Sequence, residues 1–367
     1  MGSITRGIAN NILGNGAVDG TDGLSGTIPA DNIANASLNN LTTFPPSVDA
    51  GIPVVSSNPS PVSEGDVWYN SSINKLRVQG TDLSGSSWSS GGSLNTARAS
   101  MGDGAVGVQG ATIAIGGANP ETANCEEYDG SSWTEVNNLN TARREGGAAG
   151  NQEACIYYNG RVSSSFVANN ESFNGTSWTE VGDTNVSTIR VGSAGTQTAA
   201  LRAGGGPPYQ STTEKWDGSS WTEVNDMNNA RCTTGVGLQT AALMIAGEIG
   251  SAPAGYRSSH TENWDGTSWT ELANCNVTTS FSNNFGTQNL ALDFGGNGPA
   301  PSKIATTEFF DGTSWTETGD CASSLSERGG SGVSGLGLAV GGNAPGNNAS
   351  CEEWTAGTGV RNVTLTA

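Results

Sequence analysis

Few side chains in this 367-residue sequence are suited to catalysis or to binding a metal ion. His260, in SSHTENW, is the one histidine, and its place at the start of a strand-like run indicates a structural role. Zinc and copper sites of the usual kind need several histidine or cysteine ligands, so neither site is expected. No Ser-His-Asp arrangement, nucleophile elbow or phosphate-binding loop is visible. We therefore predict no catalytic, cofactor-binding or metal-binding residue and no enzyme activity.

Six cysteines are present, but their spacing favours neither a disulfide nor a metal site. No Cys-x-x-Cys pair occurs, and equivalent cysteines stand in different repeat units. Those units are too far apart for the roughly 7 Å between Cα atoms that a disulfide allows. We predict that all six are free and mostly buried, which suits assembly in a reducing cytoplasm. They are Cys125, Cys155, Cys232, Cys275, Cys321 and Cys351.

A recurrent aspartate could supply oxygen ligands to calcium. In each copy it is followed by glycine, then by two residues that are serine or threonine, then by tryptophan. An Asp-Gly pair between two short apolar runs is typical of a tight hairpin turn, where the carboxylate bonds to nearby backbone N–H groups. We interpret these aspartates as the first residues of hairpin turns. They are Asp129, Asp217, Asp265 and Asp311.

A recurrent glutamate stands two residues before an aromatic residue in every unit. Because side chains in a strand alternate between faces, the glutamate shares the face of that aromatic ring. Two interpretations stay open: the carboxylates form ion pairs with arginines, or they accept hydrogen bonds from backbone amides at sheet edges. The glutamates are Glu126, Glu171, Glu214, Glu262, Glu308 and Glu352, and the candidate arginines are Arg98, Arg143, Arg190, Arg231 and Arg328.

These residues belong to a repeat that covers most of the chain. Its clearest copy is YDGSSWTEVNNLNTAR, which ends at Arg143, and a tryptophan marks each copy. The tryptophans are Trp88, Trp133, Trp178, Trp221, Trp269 and Trp315, with successive spacings of 45, 45, 43, 48 and 46 residues. A period in the forties indicates one supersecondary unit per copy, each stacked on its neighbours.

Each unit is predicted to hold four antiparallel strands. The Asp-Gly turn joins a strand that ends in an aromatic residue to the tryptophan strand. Upstream, an apolar run ends at a glycine stop, and an arginine segment such as LNTAR can form the remaining strand. Four antiparallel strands per period of this length describe a blade of a β-propeller. The glycine stops are Gly117, Gly205, Gly247, Gly296 and Gly342.

The order of these features resembles the kelch repeat. Kelch units contain an arginine strand, an apolar strand ending in Gly-Gly, Glu-x-Tyr-Asp and then tryptophan, and the resemblance covers residues 88 to 357. It implies an all-β, six-bladed kelch-like β-propeller. The second unit has IYYNG in place of Gly-Gly, and the fifth has Thr279 and Ser280 where arginine is expected, so these two blades are predicted to be irregular.

Closure of the ring leaves two possibilities. The last unit contains CEEWTAG but has Gly359 where its tryptophan would stand. Either residues 360–366 form the final strand of the sixth blade, or the segment around Trp88 completes it. The second arrangement would join the two ends of the ring.

The N-terminal part carries no repeat. We divide the chain into an extended attachment arm at 1–62, a β-hairpin and possible propeller-closing strand at 63–90, and the propeller at 91–367. The segment EGDVWYNSSINKLRVQG resembles a hairpin found in tail and fibre proteins of bacteriophages. The opening MGSITRGIANNI is similar to the start of structural proteins of marine tailed phages, where kelch-like WDGTSWTEV arrays also occur.

Charge and hydropathy limit the partners. The net charge of −19 disfavours binding to nucleic acid and to anionic membranes. No basic start followed by an apolar core predicts a signal peptide, and no run of 18 apolar residues predicts a membrane span. The sequence therefore favours a protein made in the cytoplasm of its host.

The resemblance implies a structural component of a bacteriophage virion, in the tail fibre or another surface position. Residues 1–62 would bind other virion proteins, a homo-oligomer is expected, and the propeller would project towards a host-surface glycan or receptor. The alternative is a cellular glycan- or protein-binding kelch propeller of the lectin type. Variable loops on a rigid scaffold are where binding usually resides. The candidate contact loops are 117–122, 206–211, 249–259, 298–305 and 343–348.

Overall fold

The structure confirms the all-β fold predicted from the repeat. A computed structural model describes residues 53–60, 66–73, 75–118, 120–250, 257–299 and 302–362. Strands are the regular elements found in these residues. The chain forms two compact units, of which Ser86–Thr355 is the larger, and the smaller includes the described residues before and after it. Most of the predicted attachment arm, residues 1–52, lies outside the described residues.

The smaller unit contains the predicted hairpin. In it β2 pairs with β3 in antiparallel register, with Val67 opposite Val78 and Asn70 opposite Lys75. Asn70 stabilises the turn because its side-chain oxygen accepts the backbone N–H groups of Ser72, at 3.1 Å, and Ile73, at 3.3 Å. The strands are β1 (Val54–Val55), which pairs in parallel with β2 (Val67–Asn70), and the long β3 (Lys75–Ser90).

The larger unit is a six-bladed propeller whose first five blades are each a four-stranded antiparallel sheet. The first blade has β4 (Ala105–Val108), β5 (Ala111–Ile115), β6 (Cys125–Tyr128) and β7 (Trp133–Val136). The second has β8 (Gly147–Gly150), β9 (Cys155–Tyr158), a separate hairpin of β10 (Arg161–Val162) and β11 (Ser165–Phe166), then β12 (Asn170–Phe173) and β13 (Trp178–Val181). The third has β14 (Gly192–Thr196), β15 (Ala199–Ala203), β16 (Thr213–Trp216) and β17 (Trp221–Val224). The fourth has β18 (Cys232–Leu238), β19 (Ala241–Glu248), β20 (Arg257–Trp264) and β21 (Trp269–Glu271). The fifth has β22 (Asn283–Thr287), β23 (Leu290–Phe294), β24 (Thr307–Phe310) and β25 (Trp315–Glu317).

The sixth blade is closed by the segment around Trp88. Its strands are β26 (Gly329–Val333), β27 (Leu336–Asn343), β28 (Asn347–Asn362) and, at the outer edge, the end of β3. The Trp88 ring lies 5.5 Å from that of Trp354 between centroids, and its Nε1 donates to Thr307 Oγ1 at 3.0 Å. Of the competing segment 360–366, residues 360–362 continue β28 and residues 363–366 lie outside the described residues.

The arginine segment is not a strand, and that prediction was wrong. LNTAR is a linker, and the first strand of each blade is the glycine- and alanine-rich stretch that follows it, such as GAAG in β8. These inner strands crowd around the axis. A Cβ on Gly147 would lie 2.4 Å from Ser193 Oγ, and one on Gly330 would lie 2.6 Å from the Asn284 carbonyl oxygen. Small residues are needed here, which removes the apolar pattern that would have indicated a strand.

The second and fifth blades were predicted to be irregular, but both have regular four-stranded sheets. In the second blade Asn159 replaces the first glycine of the stop and takes the same left-handed conformation, with φ of +57°. Asparagine tolerates this region better than most residues do. The fifth blade departs from the others in its buried charges and keeps their architecture.

Five of the six recurrent glutamates form an ion pair with an arginine and also accept hydrogen bonds from backbone amides, whereas Glu308 accepts backbone hydrogen bonds without a described ion pair. Glu126 is fully buried, pairs with Arg98 at 2.5 Å, and accepts the Asn95 backbone N–H at 2.7 Å. Each such pair links a linker to the two central strands of a blade. The pairs formed as predicted are Arg98–Glu126, Arg143–Glu171, Arg231–Glu262 and Arg328–Glu352.

Arg190 was wrongly included among these partners. Glu214 of the third blade is paired instead with Arg202, which lies opposite it on β15. Arg190 binds Glu145 and Glu248. The third linker has Thr188 where the first, second and fourth linkers place arginine, so the guanidinium comes from a neighbouring strand.

Neighbouring blades are tied by side chains that repeat with the fold. Trp133 Nε1 donates to the Gly92 carbonyl at 2.9 Å, and Trp178 Nε1 donates to that of Asn137 at 3.0 Å. Gln239 Nε2 donates to the Ala200 carbonyl at 3.0 Å. The six cysteines are free and buried, as predicted.

Candidate functional site: the axial rim and channel

One end of the propeller axis is bordered by residues at equivalent positions in all six blades. Each lies twelve residues after a repeat tryptophan, and five different residue types occupy the six positions. We call these residues the axial rim: Ser100, Glu145, Arg190, Thr233, Phe281 and Glu327.

The rim is joined by main-chain hydrogen bonds between blades. Glu145 donates its backbone N–H to the Ser100 carbonyl and Arg190 donates to that of Glu145, both at 2.8 Å. Thr233 donates to Arg190 at 3.2 Å. On the other side Glu327 donates to Phe281 at 3.0 Å and Ser100 donates to Glu327 at 3.1 Å. These bonds fix the rim backbone to the ring of blades.

Five of the six rim residues adopt left-handed backbone conformations. Their φ angles lie between +52° and +60°, and Thr233 is the exception. This region is uncommon for residues other than glycine and costs on the order of 1–3 kcal/mol at each position. Such strain concentrates at functional sites, and here it recurs around one axis.

Arg190 is the centre of the rim electrostatics. Its guanidinium pairs with Glu145 at 2.5 Å and with Glu248 at 3.1 Å, and it lies 4.3 Å from the centroid of the Phe281 ring. Burial lowers the pKa of this guanidinium, but the two carboxylates outweigh burial and the net shift is upward. Tyr209 extends the network by donating its hydroxyl to Glu248 at 2.8 Å.

Asp103 lies on the axis beneath the rim. Its Oδ2 accepts the backbone N–H groups of Ser193, at 2.9 Å, and Gly235, at 3.2 Å, and the Asn283 side-chain amide lies 3.5 Å from Oδ1. One carboxyl group thus connects the first, third, fourth and fifth blades. Burial raises the pKa of Asp103 to about 8, because no described basic side chain forms an ion pair with it.

Two cavities adjoin Asp103. One, of about 50 Å³, is bordered by rim residues, Cys232 and Glu248. The other, of about 120 Å³, follows the inner strands along the axis and is bordered mainly by glycine, alanine, serine and asparagine. The arrangement suits the binding of a small polar group. It offers no activated nucleophile, because burial raises the pKa of the Cys232 thiol to about 12.

Four of the five candidate contact loops adjoin one another or the rim. Loop 206–211 supplies Tyr209 to the rim network. The Lys303 ammonium group of loop 298–305 bonds to the carbonyl and amide oxygens of Asn343 in loop 343–348. Asn347 donates to the Ala118 carbonyl at 2.7 Å, which connects loop 343–348 to loop 117–122. Residues 119, 251–256 and 300–301 of these loops lie outside the described residues, and receptor contact stays a prediction.

The recurrent aspartates are turn residues, as predicted. Asp129 Oδ1 accepts the backbone N–H groups of Ser131 and Ser132, both at 2.8 Å, and these bonds lower its pKa to about 2. The same bonds occur at Asp217, Asp265 and Asp311.

His260 lies in β20, where its backbone N–H donates to Ser258 Oγ at 3.0 Å. It is partly buried and apart from the rim residues. Among the described residues no group of three or more His, Cys, Asp or Glu side chains is placed to hold a metal ion. The described part of the chain also contains no helix long and apolar enough to span a membrane.

The sequence analysis missed the axial rim. Its six members belong to five residue types, so no motif marks them, and the available signal was their constant distance from the repeat tryptophans. The chain matches no known protein-family model, and no curated protein matches it significantly.

Proposed function

We propose that this protein is a non-enzymatic structural component of a bacteriophage virion. In this proposal residues 1–62 attach it to other virion proteins, and the propeller projects outward to contact the host surface through the axial rim and its loops. The protein is assembled in the host cytoplasm and acts as a homo-oligomer in the particle.

The observation that carries the proposal is where the chain joins the ring. The end of β3 forms the outermost strand of the sixth blade, so the residues that precede the propeller enter it at its circumference. The strained, chemically varied rim can then face a partner while the arm holds the particle.

The build of the ring also suits a protein exposed on a particle. Its outer strands are short, as in Trp133–Val136 and Trp315–Glu317, which limits pairing between the edges of neighbouring molecules. Buried ion pairs and the tryptophan and glutamine contacts join the blades into one rigid body.

Deletion of residues 1–52 tests the anchoring role and leaves the described β1 strand in place. We expect the full chain to co-purify with phage particles assembled in the same cells. The shortened chain should stay soluble, with an unchanged circular dichroism spectrum, and be absent from the particles. A full chain missing from particles, or a shortened chain incorporated equally well, would contradict the proposal.

The alternative function is a cellular propeller that binds a glycan or a protein. The rim favours it, because binding sites need chemical variety and five residue types occupy the six rim positions. A glycan array probed with the full chain tests this function, with Arg190→Ala as the rim variant. Saturable glycan binding that the variant loses, by a chain that does not associate with particles, would favour the alternative.

A further inference from the structure

The fifth blade is built like the third but carries the opposite charge at one buried position. Both linkers have the sequence Asn-Val-Ser/Thr-Thr and place threonine, Thr188 or Thr279, where the first, second and fourth linkers place arginine. In the third blade Arg202 compensates by reaching Glu214 from the opposite strand. In the fifth blade the residue opposite Glu308 is Asp293.

The surrounding backbone is the same in the two blades. The Glu214 carboxylate accepts the backbone N–H of Asn185 at 3.0 Å, and the Glu308 carboxylate accepts that of Asn276 at 2.9 Å. Gly204 donates its N–H to the Thr212 carbonyl and Gly295 donates to that of Thr306, both at 3.0 Å. The two blades therefore offer equivalent oxygen atoms around this position.

In the third blade, oxygen atoms of Gly204, Thr212 and Glu214 bind a cationic group. Arg202 Nη1 donates to the Gly204 carbonyl at 3.3 Å and to Thr212 Oγ1 at 3.5 Å, and Nη2 pairs with Glu214. The equivalent oxygens of the fifth blade are the Gly295 carbonyl, the Thr306 hydroxyl and the Glu308 carboxylate. Aspartate ends at its carboxylate, whereas arginine continues through Cδ and Nε to the guanidinium, so Asp293 does not fill the same space.

The two carboxyl groups lack a described cationic partner. Asp293 and Glu308 are 3% and 2% exposed, and no Lys, Arg or His of the described residues forms an ion pair with either. Asp293 Oδ1 is buried and accepts no hydrogen bond from the described residues. Two buried carboxyl groups at opposed positions repel each other unless a cation or a proton lies between them.

We propose that Asp293 and Glu308 bind a divalent cation at the position that the Arg202 guanidinium takes in the third blade, and that Ca²⁺ is the ion best matched to it. Two carboxylates balance the charge of the ion. The available ligands are carboxylate, carbonyl and hydroxyl oxygens. The Ser282 hydroxyl, which is hydrogen-bonded to Asp293, is a further oxygen ligand. Ca²⁺ accepts mixed oxygen ligands in irregular geometry, whereas Mg²⁺ demands near-octahedral geometry and keeps several waters.

Three titratable groups lie at or beside this position. Burial raises the pKa of Asp293 to about 8, and the charge of Glu308 raises it further. Burial and the two carboxylates also raise the pKa of the nearby Cys275 thiol, so Cys275 contributes no charge. Glu317, opposite Glu308 on β25, is exposed.

The decisive experiment compares Ca²⁺ with EDTA on the full-length chain. Thermal unfolding is followed by tryptophan fluorescence at neutral pH, and calorimetric titration with Ca²⁺ alone measures binding. We expect Ca²⁺ up to about 10 mM, above the range of weak extracellular sites, to raise Tm by several degrees. Mg²⁺ should raise it less.

Substitutions at Asp293 assign the effect to this site. Asp293→Arg rebuilds the pair of the third blade, so its Tm in EDTA should exceed that of the wild type and should not respond to Ca²⁺. Asp293→Asn keeps the side-chain shape and should weaken Ca²⁺ binding at least tenfold, a readout that stands if the arginine variant does not fold. Glu317→Gln removes an exposed carboxylate on the same blade and should leave the response unchanged.

Two results would overturn the proposal. One is a wild-type Tm that is the same in Ca²⁺ and in EDTA, because no cation then stabilises the fold. The other is an equal Ca²⁺ response in wild type and Asp293→Asn, which places the ion elsewhere. Neither result depends on whether the chain belongs to a virion.

Discussion

The indole rings of Trp88 and Trp354 lie 5.5 Å apart between centroids, although the two residues come from opposite ends of the propeller sequence. Trp88 also lies 5.1 Å from the ring of Phe294 in the fifth blade. One side chain of the closing strand therefore contacts both its own blade and the preceding one. The outer strand of the sixth blade is the end of β3, which precedes the first blade in sequence, whereas the other three strands come from the C-terminal part of the chain. Ring closure therefore depends on the contacts that Trp88 makes.

We expect Trp88→Ala to destabilise the propeller by about 3–5 kcal/mol, the usual cost of truncating a large aromatic side chain in a packed site. Urea unfolding measures the change. Limited proteolysis should show new cleavage near residues 86–92. Trp88→Phe keeps most of the ring contact but loses the bond to Thr307, so it should cost only about 1 kcal/mol. Equal stability of wild type and Trp88→Ala would mean that the closing strand contributes little.

The pair Arg202–Glu214 offers a second prediction. Both side chains are fully buried, so Arg202→Met leaves the Glu214 carboxylate without its cation. Breaking such a pair costs about 3–5 kcal/mol, whereas replacing both members by neutral residues of similar volume costs much less. Arg202→Met combined with Glu214→Gln should therefore recover most of the loss in the free energy of unfolding. Glu135→Gln, at an exposed glutamate, is the control that should change nothing.

The raised pKa of Asp103 predicts how stability depends on pH. Its folded-state value of about 8 lies above the ordinary value of 3.8, so the folded protein binds this proton more tightly than the unfolded chain does. The resulting stabilisation is complete below about pH 4 and is lost as pH rises towards about 8, by at most about 1.4 kcal/mol per pH unit.

Asp103→Asn tests this linkage because it keeps the acceptor for the Ser193 and Gly235 N–H groups and removes the titration. The variant should lose less stability than the wild type between about pH 5 and about pH 9, measured by urea unfolding. Asp129→Asn is the matched control, since that carboxylate is exposed and titrates near pH 2. Parallel pH profiles for wild type and Asp103→Asn would contradict a buried, titrating Asp103.

Much of the fold could be predicted from sequence because the repeat keeps its chemistry. The Asp-Gly turns and the tryptophan strands depend on local residue types, and the structure confirms both. The inner strands could not be predicted, since packing around the axis selects small residues such as Gly147 and removes the alternation. The Arg202–Glu214 pair was missed for another reason: its arginine comes from strand β15, whereas in four other blades the arginine comes from the linker before the first strand. Only the three-dimensional register shows that the two positions are opposite.

The left-handed backbone of the axial rim provides the last prediction, at Arg190. Arg190→Ala removes the guanidinium that joins Glu145, Glu248 and Phe281 and keeps a side chain in a conformation that favours glycine. Arg190→Gly removes the same guanidinium but also relieves the strain at φ of +56°. The left-handed region costs residues with a Cβ roughly 1–2 kcal/mol, so the glycine variant should be the more stable of the two by about that amount. Unfolding in urea compares the two variants. Ala242 is the control position, a buried strand residue without a positive φ, and there Ala242→Gly should be less stable than the wild-type alanine. If Arg190→Gly is less stable than Arg190→Ala, the rim backbone is not strained, and its conformation gives no indication of a binding site.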